Sequence, residues 1–256
     1  MSWSPKQYTV FEDQRTRPVR DLLNAVSTTD VMAAIDLGCG PGNSTGILVD
    51  RFPNASVSGI DSSADMIESA RKRLPKCQFT VTSIEAWDGP GSFDVILANA
   101  ALHWVPNHAS LLPRLIKFLS SRGSLAIQMP DNLNEPAHRL MREIAVEQPW
   151  ADKLAKSAGE RTIVESADWY YSLLRPLCSR VDIWRTTYHH PLAGGANAVV
   201  EWFKGSGLRP FLLPLNDVEQ ERYLSQYRAA VSDAYPTLSD GTVLLPFPRL
   251  FIVASR

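Results

Sequence analysis

The seven residues Asp36-Leu-Gly38-Cys-Gly40-Pro-Gly42 constrain this chain more than any other segment. Ahead of them, residues 31–37 form a short apolar run, and behind them Ile47, Leu48 and Phe52 recur at helical spacing until Pro53. An apolar run of that kind reads as a strand buried on both faces, as in parallel sheets covered by helices. Glycines are needed where φ must be positive or where a ligand approaches the backbone closely. This turn opens at the carboxyl end of a strand, where open α/β sheets bind their ligands. Tight strand-to-helix turns also use glycine for structure alone, so the neighbouring elements must decide.

They continue the alternation. Residues 56–60 read as a strand ending on Asp61, and Ser62 and Ser63 offer caps to a helix carrying Met66, Ile67 and Ala70. That helix finishes on Arg71-Lys-Arg73, a polarity that complements its dipole. Strands follow at 78–82 and 93–98, then a helix over 108–120 and a strand at 124–129 after a turn at Gly123. Such alternation implies right-handed crossovers and a parallel sheet. Beyond it, residues 136–178 read as helical and rich in aromatics (Trp150, Trp169, Tyr170, Tyr171), and 181–188 alternate like a strand. A helical stretch covers about 196–232, and residues 243–254 close the chain as a long strand. With only helical material between them, the last two strands are expected to pair antiparallel at one edge. The N-terminal 27 residues, with Val10, Val19, Leu22 and Leu23, read as a helix ahead of the sheet.

The fold expected is therefore α/β: a doubly wound, mostly parallel, seven-stranded sheet with an antiparallel last strand and helical insertions forming a cap. One domain spans 1–256, its core at about 30–130, 179–192 and 242–256, its cap at about 1–27, 136–178 and 195–236.

Composition narrows the partners. With 26 Lys and Arg against 27 Asp and Glu, the net charge of −1 argues against a nucleic-acid binder with a broad basic face. Arg outnumbers Lys by 19 to 7. That bias suits fixed bidentate contacts to carboxylates, although genome composition explains it equally well. Three scattered cysteines (Cys39, Cys77, Cys178) without metal-ligand spacing read as reduced, so no metal is expected and the compartment is expected to be the cytoplasm. The N-terminus lacks the apolar run of a signal peptide, and no stretch is apolar enough to span a membrane. A monomer is expected.

The glycine spacing is G-x-G-x-G, not the G-x-G-x-x-G that seats a dinucleotide pyrophosphate on a helix N-terminus. Asp36, two residues ahead of the first glycine, disfavours a pyrophosphate and suits a ligand carrying a sulfonium and an ammonium. Asp61, 19 residues after Gly42, can accept hydrogen bonds from ribose hydroxyls. D-x-G-x-G-x-G followed by Gly59-Ile-Asp61 resembles motif I and the acidic loop of class I S-adenosylmethionine-dependent methyltransferases, over roughly residues 30–130. The resemblance implies that Gly38, Gly40 and Gly42 pack against the cofactor, that Asp36 orients its amino-acid end, and that Asp61 takes the ribose. Asn43, Ser62, Met66, Ser83, Ile84 and Asn99 complete the implied cofactor set. Ser83 departs from the family, which often has an acid there for the adenine amino group. His103 and Trp104 fall where the methyl and its acceptor meet, although Trp104 reads equally well as a core aromatic.

Segments from end to end of the chain extend the resemblance to a branch of the family that esterifies a small tricarboxylic acid. They include Trp3, Tyr8, Arg15-Thr-Arg17-Pro18, residues 129–132, residues 181–188, Gly207-Leu-Arg-Pro210 and Phe247-Pro-Arg-Leu-Phe251. The implied reaction gives a monomethyl ester and S-adenosylhomocysteine. A carboxylate, with a pKa near about 4, is already ionised at neutral pH and needs no general base. About three substrate charges call for several cationic or multi-donor residues. Tyr8, Arg17, His103, Arg185, Tyr188, Arg209 and Arg249 are the expected set, with Arg15 and His189 also candidates. Arg209 and Arg249 adjoin Pro and bulky apolar residues, which suggests partial burial; for any single arginine a solvated surface ion pair is the competing reading. Another small acceptor, such as a quinone precursor or a carrier-bound acid, stays open, as does a non-catalytic cofactor binder.

Overall fold

The computed structural model describes residues 12–89, 91–159 and 164–256. Trp3, Tyr8 and Val10 lie outside these. In chain order the elements are α1 (Glu12–Asn24), β1 (Ala33–Leu37), α2 (Asn43–Arg51), β2 (Ser56–Asp61), α3 (Ala64–Arg73), β3 (Gln78–Val81), β4 (Phe93–Asn99), α4 (His108–Lys117), β5 (Leu119–Pro130), α5 (Pro136–Ala145), α6 (Ala151–Gly159), α7 (Ala167–Leu174), β6 (Arg180–Ala193), α8 (Gly195–Lys204), α9 (Arg209–Leu212), α10 (Asp217–Ala234) and β7 (Thr242–Ser255). A 3-10 turn, Leu102–Trp104, follows β4. No helix among the described residues is long and apolar enough to cross a membrane.

The seven strands order as β3-β2-β1-β4-β5-β7-β6. Parallel ladders join β3, β2, β1, β4 and β5, with Asp36 level with Gly59 on one side and Leu97 on the other. The chain leaves β1 toward β2 and returns on its other side as β4, so strand order reverses at β1. The crevice beyond the carboxyl ends of β1 and β4 is thus the switch point where such sheets bind ligands. β7 runs antiparallel to both neighbours. Against β5, Arg256 N–H donates to Gly123 O and Asp131 N–H to Pro248 O. Against β6, Ser179 N–H donates to Ser255 O and Gly194 N–H to Gly241 O. The expected fold class and the antiparallel edge pair are as found.

Three expectations are corrected. The helix expected over 108–120 stops at Lys117, and strand β5 begins at Leu119 rather than 124. Gly123 makes no turn: it lies within β5, beside a register shift between Phe93 and Val95. A Cβ there would stand 2.7 Å from the Phe93 carbonyl oxygen, so the bulge requires glycine. The stretch 196–232 breaks into α8, α9 and α10. The last of these starts on a capping box, Asn216 with Glu219.

Chain contacts divide into two compact units. The sheet unit takes in residues to Pro130, Thr162–Thr186 and Leu250–Arg256; the helical unit takes in Asp131–Arg161 and Thr187–Arg249. α1 and α7, grouped with the cap by sequence, cluster with the sheet unit. In the sheet unit Leu37, Ile96, Ile127 and Ile252 pack with Leu112 and Leu115 of α4, all 3% exposed or less. The helical unit has a more aromatic core, with Trp150, Phe203, Phe211, Tyr223 and Tyr227. Its buried hydroxyls are satisfied across helices: Tyr223 donates to Met141 O at 2.8 Å and Tyr227 to Ala137 O at 3.0 Å.

Candidate active site

The switch-point turn is built as its glycines require. Gly38, Gly40 and Gly42 have φ of 71°, 53° and 88°, the left-handed region that costs a Cβ-bearing residue about 1–2 kcal/mol. At Gly38 a Cβ would also collide with that of Ala101, at 2.6 Å, whereas beside Gly40 nothing stands within 4 Å. The backbone at Gly40 therefore faces open space. Gly38 and Cys39 donate their amides to Ile60 O, tying the turn to the end of β2. Asp61 adds a second tie: its Oδ2 accepts from Gly40 N–H and its Oδ1 from Ser63 N–H, each at 2.9 Å. Ser63 in turn caps α3 through Met66 N–H.

Asp36, at the end of β1, is fully buried. Its Oδ2 accepts from Ser44 Oγ and Thr45 Oγ1 of α2, both at 2.7 Å. Its Oδ1 finds no hydrogen-bond partner among the described residues, and neither does Oδ1 of Asn99 at the end of β4. Burial pushes the Asp36 carboxyl up to about 6, against the pull of the two hydroxyls, with the Asp61 charge adding a smaller rise. A buried acceptor without a donor costs about 1–3 kcal/mol, so two of them at one switch point fit a donor-bearing, cationic group. The adjoining concavity is lined by Gly38, Asn43, Ser44 and Asn99, with Thr16 and Val19 of α1. Neither α1 residue is in the cofactor set expected from sequence; helical spacing alone does not say which loop a helix covers. Cys39 also lines it, but burial pushes its thiol far up and leaves it unreactive.

The remaining cofactor candidates lie on the flanks. Met66 and Ile84 are buried, Ser62 is exposed, and Ser83 is half-buried with its Oγ accepting from Ala86 N–H. Arg114, absent from the sequence expectation, donates to the carbonyls of Ile84 and Trp87 and so holds the turn that carries Ile84. On the 3-10 turn His103 is half-buried and packs 4.8 Å from Trp104, which is 58% exposed. That exposure removes the core-aromatic reading of Trp104.

The acceptor candidates divide. Arg17, His103 and Arg185 belong to the sheet unit, Tyr188, Arg209 and Arg249 to the helical unit, and Tyr8 lies outside the described residues. Arg17 is exposed, 3.9 Å from Asp21 one helical turn on, and Arg185 is exposed on β6. Arg209 is half-buried at the start of α9, and Tyr188 is buried. Arg249 is the most enclosed of the arginines, at 6% exposure. Its guanidinium lies 4.8 Å above the Phe247 ring; Phe247 packs against His190, and His190 stacks on Trp202. Aromatic faces stabilise a cation above them, and the planar guanidinium matches a carboxylate in bidentate geometry. The sequence hint of adjacent Pro and Phe foretold this burial.

An open, doubly wound sheet with a glycine turn at its switch point is the architecture of class I methyltransferases, and a family model described as a methyltransferase domain matches residues 28–175. The chain is 52% identical over 254 residues, 99% of both proteins, to the trans-aconitate 2-methyltransferase of Rhodopseudomonas palustris (strain BisB5). It is 49% identical over 252 residues, 98% of this chain and 97% of the relative, to that of Yersinia pestis (strain Pestoides F). The chain belongs to the methyltransferase-domain family and, at this identity over its full length, to its trans-aconitate 2-methyltransferase branch. Among solved structures, the YcgJ protein of Bacillus subtilis superposes with a TM-score of 0.60 at 12% identity, covering 94% of this chain and 98% of that one. The plantazolicin methyltransferase BamL, solved with S-adenosylhomocysteine, gives 0.52 at 16% identity over 97% and 87%. At those identities the likeness is one of fold.

Proposed function

We propose that this chain transfers a methyl group from S-adenosylmethionine to a carboxylate oxygen of trans-aconitate, giving a monomethyl ester and S-adenosylhomocysteine. The observation that carries the reading is the 52% identity, from end to end, to enzymes of that name. When bound, the cofactor supplies a methyl made electrophilic by its sulfonium. Asp36 and Asn99 accept hydrogen bonds from its amino-acid end with the two buried oxygens that lack donors. Asp61 keeps a lone pair on each oxygen for the ribose after receiving one amide on each. Gly38, Gly40 and Gly42 let the ligand approach the backbone, Asn43 stands at the start of α2, Met66 and Ile84 supply apolar walls, and Ser62 and Ser83 supply hydroxyls.

The charges of the tricarboxylate call for cationic and multi-donor side chains, for which Arg249, Arg209 and Tyr188 of the helical unit, Arg185, Arg17 and His103 of the sheet unit, and Tyr8 are the candidates; Arg249 is foremost among the arginines because its burial leaves it least solvated. A carboxylate needs no base, so rate comes from alignment and exclusion of water, to which His103 and Trp104 contribute. The chain acts as one methyltransferase domain over 1–256 and as a monomer. A reducing cytoplasm suits its free cysteines. The test is mass spectrometry with methyl-labelled S-adenosylmethionine and a panel of di- and tricarboxylic acids, a quinone precursor and a carrier-bound acid. Label is expected in trans-aconitate ahead of every other acceptor, and label in another acceptor alone overturns the assignment.

A further inference from the structure

His108 and Tyr170 form a buried polar pair beside the 3-10 turn that the reaction as described does not use. His108 is 6% exposed and Tyr170 fully buried. Nε2 of His108 lies 2.9 Å from Leu102 O, and Nδ1 lies 2.8 Å from the Tyr170 hydroxyl. A carbonyl has no proton to give, so Nε2 carries the proton and donates. In the tautomer so defined, Nδ1 accepts from the Tyr170 O–H. The phenol oxygen itself accepts from Glu165 N–H at 3.4 Å, which completes a directed chain from Glu165 to Leu102.

The local backbone serves this contact. Asn107 takes φ 58° and ψ 51°, a left-handed conformation that Asn tolerates better than most residues. His108, the first residue of α4, then reaches back to the turn preceding it. Leu102 O accepts both this imidazole and Val105 N–H, so the turn is fixed at its first carbonyl. The turn also abuts the cofactor loop: Ala101, just ahead of Leu102, has its Cβ 2.6 Å from where a Cβ on Gly38 would stand. Displacement of Leu102–Trp104 is therefore felt at His103, at Trp104 and at the glycine turn together. A Leu and a Phe would fill the same volume without desolvating an imidazole and a phenol, so packing alone gives no reason for the pair.

We propose that His108 and Tyr170 are positioning residues for methyl transfer, holding the Leu102–Trp104 turn so that His103 and Trp104 stand at the reacting atoms. The proposal rests on the methyltransferase reading above. Tyr170→Phe removes only the hydroxyl, His108→Leu removes both ring contacts, and His108→Gln keeps a donor near the Nε2 position. Tyr170→Phe and His108→Leu are expected to lower kcat about tenfold to a hundredfold while KM for S-adenosylmethionine moves less than about twofold. His108→Gln is expected to recover most of kcat, as a merely space-filling role would not predict. A second readout is independent of turnover: fluorine NMR of protein labelled with 5-fluorotryptophan, the Trp104 signal being assigned by its loss in Trp104→Phe. That signal is expected to be single and sharp in the unaltered protein and in His108→Gln, and to shift or split in Tyr170→Phe. An unchanged Trp104 signal together with kcat within about twofold overturns the proposal. Should the unaltered enzyme methylate nothing, the underlying reading fails, and the Trp104 signal alone still decides whether the pair holds the turn.

Discussion

Asp36 and Arg249 are both buried charges, one in each unit, and they are solvated by opposite means. Asp36 sits at a strand end where topology brings two helix hydroxyls to one oxygen and, among the described residues, no donor to the other. Its carboxyl is pushed up to about 6, so at neutral pH it has only just ionised. Arg249 cannot neutralise itself by shedding its proton, and it rests on an aromatic stack instead. The first environment is made of backbone and short side chains whose places the sheet dictates. The second is made of long side chains in an aromatic core. A site of the first kind leaves a motif in the sequence; a site of the second leaves only residue types.

The largest effect is expected in the helical unit. Arg249→Ala should lower kcat/KM for trans-aconitate by about two to four orders of magnitude, the cost of removing one partner of a desolvated charge pair. Calorimetry should show S-adenosylmethionine affinity unchanged, and a loss there would erase the distinction between the two regions.

Asp36 sharpens the comparison through pH. Its carboxyl titrates near 3.8 when unfolded and near about 6 when folded, so between those values the folded chain holds a proton that the unfolded chain has released. Stability of the ligand-free protein should therefore fall as pH rises through that window, by about 3 kcal/mol in all, and stay lower above it. Asp36→Asn should lack this slope in urea unfolding measured across the window. A slope that survives the substitution would place the proton elsewhere.

Asp61→Ala should weaken S-adenosylmethionine binding by about tenfold to a hundredfold, since the carboxylate also holds Gly40 and Ser63. Unaltered affinity in calorimetry would remove Asp61 from the cofactor set. The smallest effect belongs to the helical core: Tyr223→Phe, losing one buried hydrogen bond to Met141 O, should cost about 1 kcal/mol in urea unfolding with activity retained.

The contrast also explains what was legible. Strand, glycine turn, helix and the acid on β2 were readable because positive φ at Gly38, Gly40 and Gly42 leaves few substitutes. Gly123 misled for the same reason: a glycine forced by a close carbonyl in a bulge looks like a glycine forced by a turn. Burial of Arg249 was foreshadowed by its Pro and Phe neighbours, whereas exposure of Trp104 was not, because nothing in its own spacing tells a core aromatic from a surface one. The His108–Tyr170 pair joins residues 62 positions apart, and a lone histidine at the first position of a helix gives no hint of such a partner. A core and a helical cap were expected from sequence, but not that the two units divide inside β6 and β7, each of which contributes residues to both.

Steady-state kinetics in both substrates, on the unaltered enzyme, Asp61→Ala and Arg249→Ala, tests the central claim most directly. The account predicts methyl transfer to trans-aconitate by the unaltered enzyme, a raised KM for S-adenosylmethionine alone in Asp61→Ala, and a raised KM for trans-aconitate alone in Arg249→Ala. Both substitutions raising the same KM, or no methyl ester from the unaltered enzyme, would contradict it.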